Sequence, residues 1–239
     1  TVDVKLLEPF AGNVIGPDGG RLALDNGIRF EALPGRFDTF EAIRLSALDR
    51  DDFAHFETEG MKVMSAFELS MGQSKSGRGL SLIEIPRSGA EQLVLARVVS
   101  RSGVYGLEPV ERFSAGEGTR PLSLEGIVGS RLSGIDRSGQ YVLLTVSKRQ
   151  SLVSGTTTNA GGIAQGGMHV QLGPWSTLSE PTGFYRLLSP VGSALLRVLD
   201  ATTGDIAVAS VEIVEAESTI ELQTTARGPI VVGVDPAAD

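Results

Sequence analysis

The residues that could do chemistry are few. The chain has two histidines, His55 and His169, and no cysteine. The lack of cysteine excludes a thiolate nucleophile, a disulfide and a cysteine-ligated metal. The two histidines lie far apart in the sequence, so a histidine-rich metal site is excluded as well. His169 sits in the alternating run 167–172, where Met168, Val170 and Leu172 share one face; His169 is therefore expected on the exposed face beside Gln171.

Carboxylates are clustered near residue 50. The cluster consists of Asp49, Asp51 and Asp52, with Asp38 and Glu41 upstream. Calcium prefers several oxygen ligands, so such a cluster is a candidate site. However, the Asp-x-Asp-x-Asp-Gly pattern of a calcium loop is absent, and Arg50 would oppose a cation. The sequence favours a solvated turn in which Asp49 or Asp51 caps a short helix.

Trp175, with Tyr185 nearby in sequence, is the candidate for ligand binding. An exposed tryptophan in a loop could stack on a sugar or anchor a protein partner. The alternative, which we favour, is that Trp175 covers a small hydrophobic core. The loop at residues 154–165 is a second candidate binding surface.

Other catalytic motifs are missing or incomplete. There is no Gly-x-Ser-x-Gly sequence for a nucleophile elbow. Gly77-Arg-Gly79 and Gly116-Glu-Gly118 are too short for a phosphate-binding loop and precede no predicted helix. The aromatic content of 5% is low for a sugar-processing cleft. We therefore predict no catalytic, cofactor-binding or metal-binding residues, no cofactor, and no enzymatic activity.

The net charge of the chain limits the classes of partner that it is expected to bind. The net charge is −8, and residues 151–239 hold three of the 21 Lys and Arg but nine of the 29 Asp and Glu. An acidic chain repels phosphate backbones, so nucleic acid is not an expected partner.

No apolar run has the length of a membrane helix, so membrane insertion is not expected. Charge on the candidate edge strands predicts a monomer in isolation.

Short alternating runs between glycine and proline turns predict an all-β fold of tandem antiparallel β-sandwich domains. The predicted strands are 2–6, 21–24, 28–32, 40–46, 60–71, 80–85, 92–100, 104–113, 140–148, 151–155, 167–172, 184–188, 193–200, 207–213 and 219–224. The apolar run 94–99 predicts a central strand, and residues 47–57 could form a short helix. In 40–46, the inward candidates are Phe40, Ala42 or Ile43, and Leu45. Pro17–Gly20, Asn26-Gly27 and Pro34-Gly35 are predicted turns.

The C-terminal part carries a resemblance to a known family. A small-residue turn leads into 167–172, a Thr182-Gly183 turn into 184–188, and a Pro190-Val-Gly192 turn into a third strand ending at Asp200. This series resembles the carboxypeptidase regulatory-like domain, a transthyretin-like β-sandwich. The resemblance implies a spacer or adhesion module of a large secreted protein. We assign it residues 149–227.

The N-terminal part resembles a ZU5-like domain. The matching elements are Gly19–Leu24, Asn26-Gly27, Ile28–Phe30 and Pro34-Gly35, although Arg36-Phe37 replaces the usual Ala-Leu. The assigned range is 1–148, a ZU5-like sandwich region with a β-rich extension. Some ZU5 domains cleave themselves at His-Phe-Ser. Here His55-Phe56 is followed by Glu57, which lacks the required hydroxyl, and Thr58 is one residue too far along. Self-cleavage is not expected, and His55 is expected in a surface loop.

Residues 228–239 resemble the first strand of a bacterial Ig-like domain. The chain also begins at Thr1 without Met. We therefore expect a segment of a longer, secreted or cell-surface bacterial protein, similar to YD-repeat (RHS-type) proteins or multidomain adhesins. Its partners would be neighbouring domains of the same chain, with a protein or glycan at the cell surface as a further partner. The resemblances imply a structural module, with adhesion as the alternative.

Overall fold

Strands dominate the fold. The computed structural model describes residues 14–71, 81–85, 92–101, 104–114, 119–122, 132, 135, 137–148, 150–159, 161–214, 218–223 and 232–236. The strands of the first half are β1 (Val14–Ile15), β2 (Gly20–Ala23), β3 (Arg29–Ala32), β4 (Glu41–Ala42), β5 (Arg44–Leu48), β6 (Met61–Ser70), β7 (Ser81–Glu84), β8 (Gln92–Arg101), β9 (Val104–Ser114), β10 (Thr119–Leu122) and β11 (Gly139–Val146). Those of the second half are β12 (Gln150–Thr158), β13 (His169–Leu172), β14 (Trp175–Leu178), β15 (Phe184–Pro190), β16 (Gly192–Leu199), β17 (Ile206–Ile213), β18 (Ser218–Gln223) and β19 (Val232–Pro236). The predicted all-β class is confirmed.

The described strands form three large sheets and one small one. A four-stranded sheet from the first half has the order β10-β7-β3-β2, and one from the second half has the order β15-β12-β18-β19. Between them runs a nine-stranded sheet with the order β17-β16-β13-β14-β9-β8-β11-β6-β5, while β1 pairs with β4. Strands from both halves of the chain therefore belong to one sheet, which continues across the predicted boundary at residue 148.

The nine-stranded sheet has a hydrophobic core on each face. The N-terminal core joins it to the first four-stranded sheet and includes Phe30, Phe67, Leu95, Phe113 and Tyr141. The C-terminal core joins it to the second four-stranded sheet and includes Val94, Leu107, Val142, Trp175 and Leu187. Neighbouring residues of β8 thus face different cores, because successive side chains of a strand point to opposite faces. This explains the nearly unbroken apolar run at 94–99, which lies in the interior of the sheet as predicted.

The turns of the first hairpin follow the sequence signals. Gly27 has a φ of 87°, and its N–H donates to the carbonyl of Leu24 over 3.0 Å. The side chain of Asn26 accepts a hydrogen bond from the Ile28 N–H at 3.2 Å. Pro17–Gly20 and Pro34-Gly35 also form turns, each with a glycine at positive φ. The predicted strands 21–24 and 28–32 are confirmed within one residue as β2 and β3.

The segment 40–46 is two strands, not the single predicted one. β4 pairs with β1, whereas β5 pairs with β6 in the nine-stranded sheet, so the chain changes sheets at Ile43. Ile43 is buried as predicted and Leu45 is partly buried, but Ala42 is exposed and Phe40 is 75% exposed. The Phe40 ring lies over Gly16, close to where a Cβ would stand. The prediction of an inward Phe40 was wrong because alternation does not continue through a change of sheet.

The predicted short helix is a 3₁₀ helix, Arg50–Phe56. Asp49 is its N-cap, and its side chain accepts from the Asp51 N–H at 3.0 Å. Phe53 is buried in the C-terminal core. Residues 61–70 form β6, which confirms the predicted strand at 60–71. Within the described part of the chain, no helix has the length and hydropathy needed to cross a membrane.

The second half also follows the predicted turns. The strand predicted at 151–155 is β12 and extends to Thr158, and 207–213 and 219–224 correspond to β17 and β18. The tail strand β19 pairs with β18. At the Thr182-Gly183 turn, Gly183 has a φ of 82°, and its N–H donates to the Glu180 carbonyl at 2.8 Å. A Cβ on Gly183 would lie 2.5 Å from the carbonyl oxygen of Thr157. The predicted strand at 2–6 lies outside the described residues.

The Gly183 turn gives a direct test of this packing. Gly183→Ala should destabilise the protein more than Gly204→Ala. Both glycines have positive φ, but a Cβ on Gly204 meets nothing within 4 Å. The Gly204 variant should lower the free energy of unfolding by about 1 kcal/mol, because alanine disfavours a positive φ. The Gly183 variant should lower it further, because the backbone at Thr157 must also move to make room for the Cβ. Urea denaturation of both variants measures the difference, and equal losses would contradict the packing described.

Candidate functional site

The two halves of the nine-stranded sheet meet where β9 pairs with β14. The pairing is parallel, with Trp175 opposite Leu107. Both residues are buried in the C-terminal core. All other strand pairs of this sheet are antiparallel in the described residues. We call the polar residues around this pairing the β9–β14 junction: Arg97, Glu108, Gln150 and Thr177.

Glu108 is the centre of the junction. Its carboxylate forms an ion pair with the guanidinium of Arg97, the residue directly opposite on β8. The hydroxyl of Thr177 on β14 donates to the other carboxylate oxygen at 3.0 Å. The side chains of Arg97 and Glu108 are only 11% and 16% exposed. One carboxylate therefore links β8 and β14 across β9, in a setting where loss of one partner leaves a largely buried charge.

Gln150 makes a second polar link, close to the passage from β11 to β12. Its N–H donates to the Gln92 side chain at 3.0 Å, and its carbonyl accepts from Arg112 Nη1 at 2.8 Å. Its side-chain oxygen accepts from the indole N–H of Trp175 at 3.2 Å, while Nε2 donates to the Lys148 carbonyl at 2.9 Å. Gln150 is 4% exposed. A buried amide with these partners holds β8, β9 and β14 around the start of β12.

Two cavities flank the Glu108–Thr177 contact. One, of about 240 Å³, is lined by Arg97, Glu108, Ser138, His169, Thr177 and Leu178. The other, of about 190 Å³, is lined by Glu108, Arg137, Thr177, Leu178, Tyr185 and Arg186 among others. Burial raises the pKa of the Tyr185 phenol, which therefore stays protonated.

His169 is placed as the alternation predicted, but it is not fully exposed. It is partly buried and lines the larger cavity. Met168, Val170 and Leu172 are buried in the C-terminal core. The difference arises because β13 is flanked by β14 and β16. The side chains of the two neighbouring strands cover part of the outward side chains of an interior strand. The position of a strand in the sheet cannot be deduced from its own sequence.

Trp175 lies inside the protein. It is 1% exposed and packs in the C-terminal core, as favoured from the sequence, and Tyr185 packs in the same core. A ligand cannot stack on a buried indole. The structure thus removes Trp175 as a binding residue.

The predicted binding loop 154–165 is a loop only in its second part, because β12 continues to Thr158. The loop after β12 presents an apolar residue to solvent. The Asn159 side chain accepts from the N–H groups of Gly161 and Ile163, at 2.9 and 3.0 Å. Ile163 is 67% exposed. The loop is anchored by Gln165, whose Nε2 donates to Asp200 Oδ2 at 3.1 Å. The backbone N–H of Thr202 bonds the Asp200 carboxylate and lowers its pKa.

The acidic cluster and His55 do not form a site in the structure. Asp49, Asp51 and Asp52 are exposed, and Arg50 pairs with Asp51 at 3.5 Å. No group of three or more His, Asp or Glu in the described residues could hold a metal ion. His55 is exposed, with Nδ1 3.1 Å from the Asp52 carbonyl.

Glu57 follows the 3₁₀ helix, where its carboxylate accepts from the Val63 N–H at 3.0 Å and pairs with Lys62 at 3.1 Å. The Val63 bond is the main cause of its lowered pKa. The segments 77–79 and 116–118 lie outside the described residues.

The junction residues were not predicted from the sequence. A glutamate, a glutamine and a threonine in strands carry no motif, and only the register brings them together. The one available signal was a charged pair, Arg97 and Glu108, within long apolar strands. Chemically, the Glu108 carboxylate is already engaged by Arg97 and Thr177. Because both of its oxygens have partners, the carboxylate is better suited to fixing the register of the strands than to transferring a proton.

Comparisons with known proteins assign no family. No family model matches the chain, and no curated protein matches it. A similar solved structure is BcpA, the major pilin subunit of Bacillus cereus, with 9% identity over 87% of this chain and 77% of that chain and a TM-score of 0.26. A variant of the same pilin has 10% identity over 85% and 77%, with a TM-score of 0.21. The ZU5-like and carboxypeptidase regulatory-like resemblances therefore stay predictions.

The junction can be tested with a matched pair of substitutions. Glu108→Ala should lower the free energy of unfolding by about 3–5 kcal/mol, because Arg97 would be left in a largely buried place without its carboxylate. Glu31→Ala is the control. Glu31 also pairs with the arginine opposite, Arg21 on β2, but the side chains are 32% and 61% exposed. The control should cost at most about 1 kcal/mol. Similar losses in urea denaturation would contradict a buried junction.

Proposed function

We propose that this chain is a non-catalytic structural module of a large secreted or cell-surface bacterial protein, which spaces and rigidifies the parts on either side of it. The observation that carries the proposal is the nine-stranded sheet, to which both halves of the chain contribute strands. Two sandwiches joined by a linker can move relative to each other. A shared sheet resists bending, because the β9–β14 pairing at Leu107 and Trp175 must break before the halves can separate.

The burial of both faces supports the same function. The central strands contribute to two cores, so movement of one half against the other would expose apolar surface on both faces. The Glu108 and Gln150 contacts add hydrogen bonds that are satisfied in one register only. These features favour one rigid body.

The location and the partners rest on the sequence resemblances. The runs 166–200 and 228–239 are similar to modules of large secreted bacterial proteins, so neighbouring domains of the same chain are the proposed partners. Antibody labelling of intact bacterial cells would test the surface location. Labelling that appears only after lysis would contradict it.

The rigidity of the module can be measured with spin labels, because the chain has no native cysteine that would also be labelled. Cysteines introduced at Asp18 and Ala201 would carry spin labels in the two halves; both positions are exposed in turns. Electron–electron double resonance should give a single narrow distance distribution, because one sheet connects the two halves. A broad or double-peaked distribution would show that they move independently and would contradict the proposed spacer function.

A second candidate function is adhesion through the loop after β12, the second part of the predicted segment 154–165. The observation that favours it is the exposed Ile163, held in a turn that the Asn159 side chain fixes. A fixed apolar side chain can enter a partner's pocket without the entropy cost of ordering a mobile loop. The surface-protein resemblance allows either a glycan or a protein as ligand.

Adhesion is tested on a glycan array and on immobilised extracellular-matrix proteins. The intact chain should bind at least one of these ligands, and Ile163→Asp should abolish binding. Val191→Asp is the control, since Val191 is another exposed apolar residue, 49% exposed, at a different turn. Absence of binding, or equal loss in both variants, would reject adhesion through this loop.

A further inference from the structure

Strand β17 ends the nine-stranded sheet as an open edge. In the described part of the chain, β16 is the one strand that pairs with it. The pairing runs without a bulge from Ile206 to Ile213, eight residues. Half of the backbone N–H and C=O groups of such a strand point away from its neighbour, toward the open side.

The edge lacks the features that usually block further pairing. Natural edge strands are kept short, bulged, or interrupted by charge or proline. β17 reads Ile-Ala-Val-Ala-Ser-Val-Glu-Ile, with Glu212 as its one charged residue. At the opposite end of the sheet, β5 has five residues and starts with Arg44. The monomer expected from the sequence assumed charged edge strands, and β17 does not meet that assumption.

The two faces of β17 differ in what they contact. Ala207, Val211 and Ile213 are buried in the C-terminal core. On the opposite face, Ile206 is 65% exposed and Val208 is 45% exposed. An added strand would therefore extend the core on one face and cover exposed apolar side chains on the other.

We propose that β17 is a self-association site, at which a second copy of this chain adds its own β17 in antiparallel orientation. The axis relating the two copies would pass through Ala209. Residues opposite each other in an antiparallel pair share a face. In the register centred on Ala209, which pairs residues 206–212 of both copies, Ile206 is then opposite Glu212 of the second copy, and Val208 is opposite Ser210.

Charge and size favour this occupant. In this register the two Glu212 carboxylates do not face each other, so no like-charged pair forms across the interface. The centre of the strand carries the small residues Ala209 and Ser210, which allow close approach at the axis. Ala207 comes opposite Val211 on the buried face, which joins the C-terminal cores of the two copies. The same patch serves both copies, as a closed twofold dimer requires.

The test exploits the predicted contact between Ile206 and Glu212. Sedimentation equilibrium of the intact chain should show a dimer that dissociates on dilution. Ile206→Asp places a like charge opposite Glu212 twice in each dimer and should weaken dimerisation roughly tenfold or more. Ile206→Lys places an opposite charge there and should retain or strengthen the dimer. Because Ile206 is mostly exposed, neither change should affect folding, which circular dichroism checks.

Ala47→Asp on β5 is the control at the other edge of the sheet, and it should leave the dimer unchanged. Three results would overturn the proposal. The intact chain could be monomeric up to about 200 μM, beyond which a contact is weak even for a transient complex. The aspartate and lysine variants at Ile206 could weaken the dimer equally, which excludes this register. The Ala47 variant could be the one that dissociates it, which would place the interface at β5.

Discussion

The burial of both faces of the nine-stranded sheet is the constraint on which the rest of the structure depends. A strand in the middle of this sheet must be apolar on both sides, as β8 is, because each face supports a different core. A strand at its C-terminal end contacts a core on one side alone, and burial alternates along β17 accordingly. The change from continuous to alternating burial therefore follows position in the sheet. Since the two cores share one sheet, neither half can complete its packing alone.

Polar contacts fix the place where the halves meet. Hydrophobic burial is not directional and would tolerate a shift of β14 along β9. A shift would separate Thr177 from Glu108 and Trp175 from Gln150, and it would leave buried polar groups without their partners. The junction thus supplies specificity, while most of the stability comes from the two cores. This division explains why a charged pair is retained inside an apolar sheet.

The sequence predicted most of the local structure, although β14 (Trp175–Leu178) lies in none of the predicted strands. Period-two alternation located most strands, and the Asn26-Gly27 and Thr182-Gly183 signals marked turns, because these patterns depend on neighbouring residues alone. The inward prediction for Phe40 failed where the chain changes sheets at Ile43. The exposure of His169 was overestimated because strand order is a long-range property.

The residues of the candidate site could not be predicted from the sequence, because their proximity also depends on strand order. Arg97, Glu108, Gln150 and Thr177 come from four strands, and no local pattern connects them. Trp175 was a candidate from its residue type, which suggested ligand binding. The competing prediction of a core position is confirmed, because the parallel pairing with β9 places Trp175 in the C-terminal core. Residue type indicated which side chains need partners, whereas topology determined which partners they have.

The central claim is that the two halves form one cooperative unit through the shared sheet. Native-state hydrogen exchange in increasing urea tests it most directly, because each amide reports the free energy of the opening that exposes it. The slowest amides of β8, in the first half, and of β16, in the second, should converge on one opening free energy. Two separate limiting free energies, with β16 opening while β8 stays protected, would contradict it.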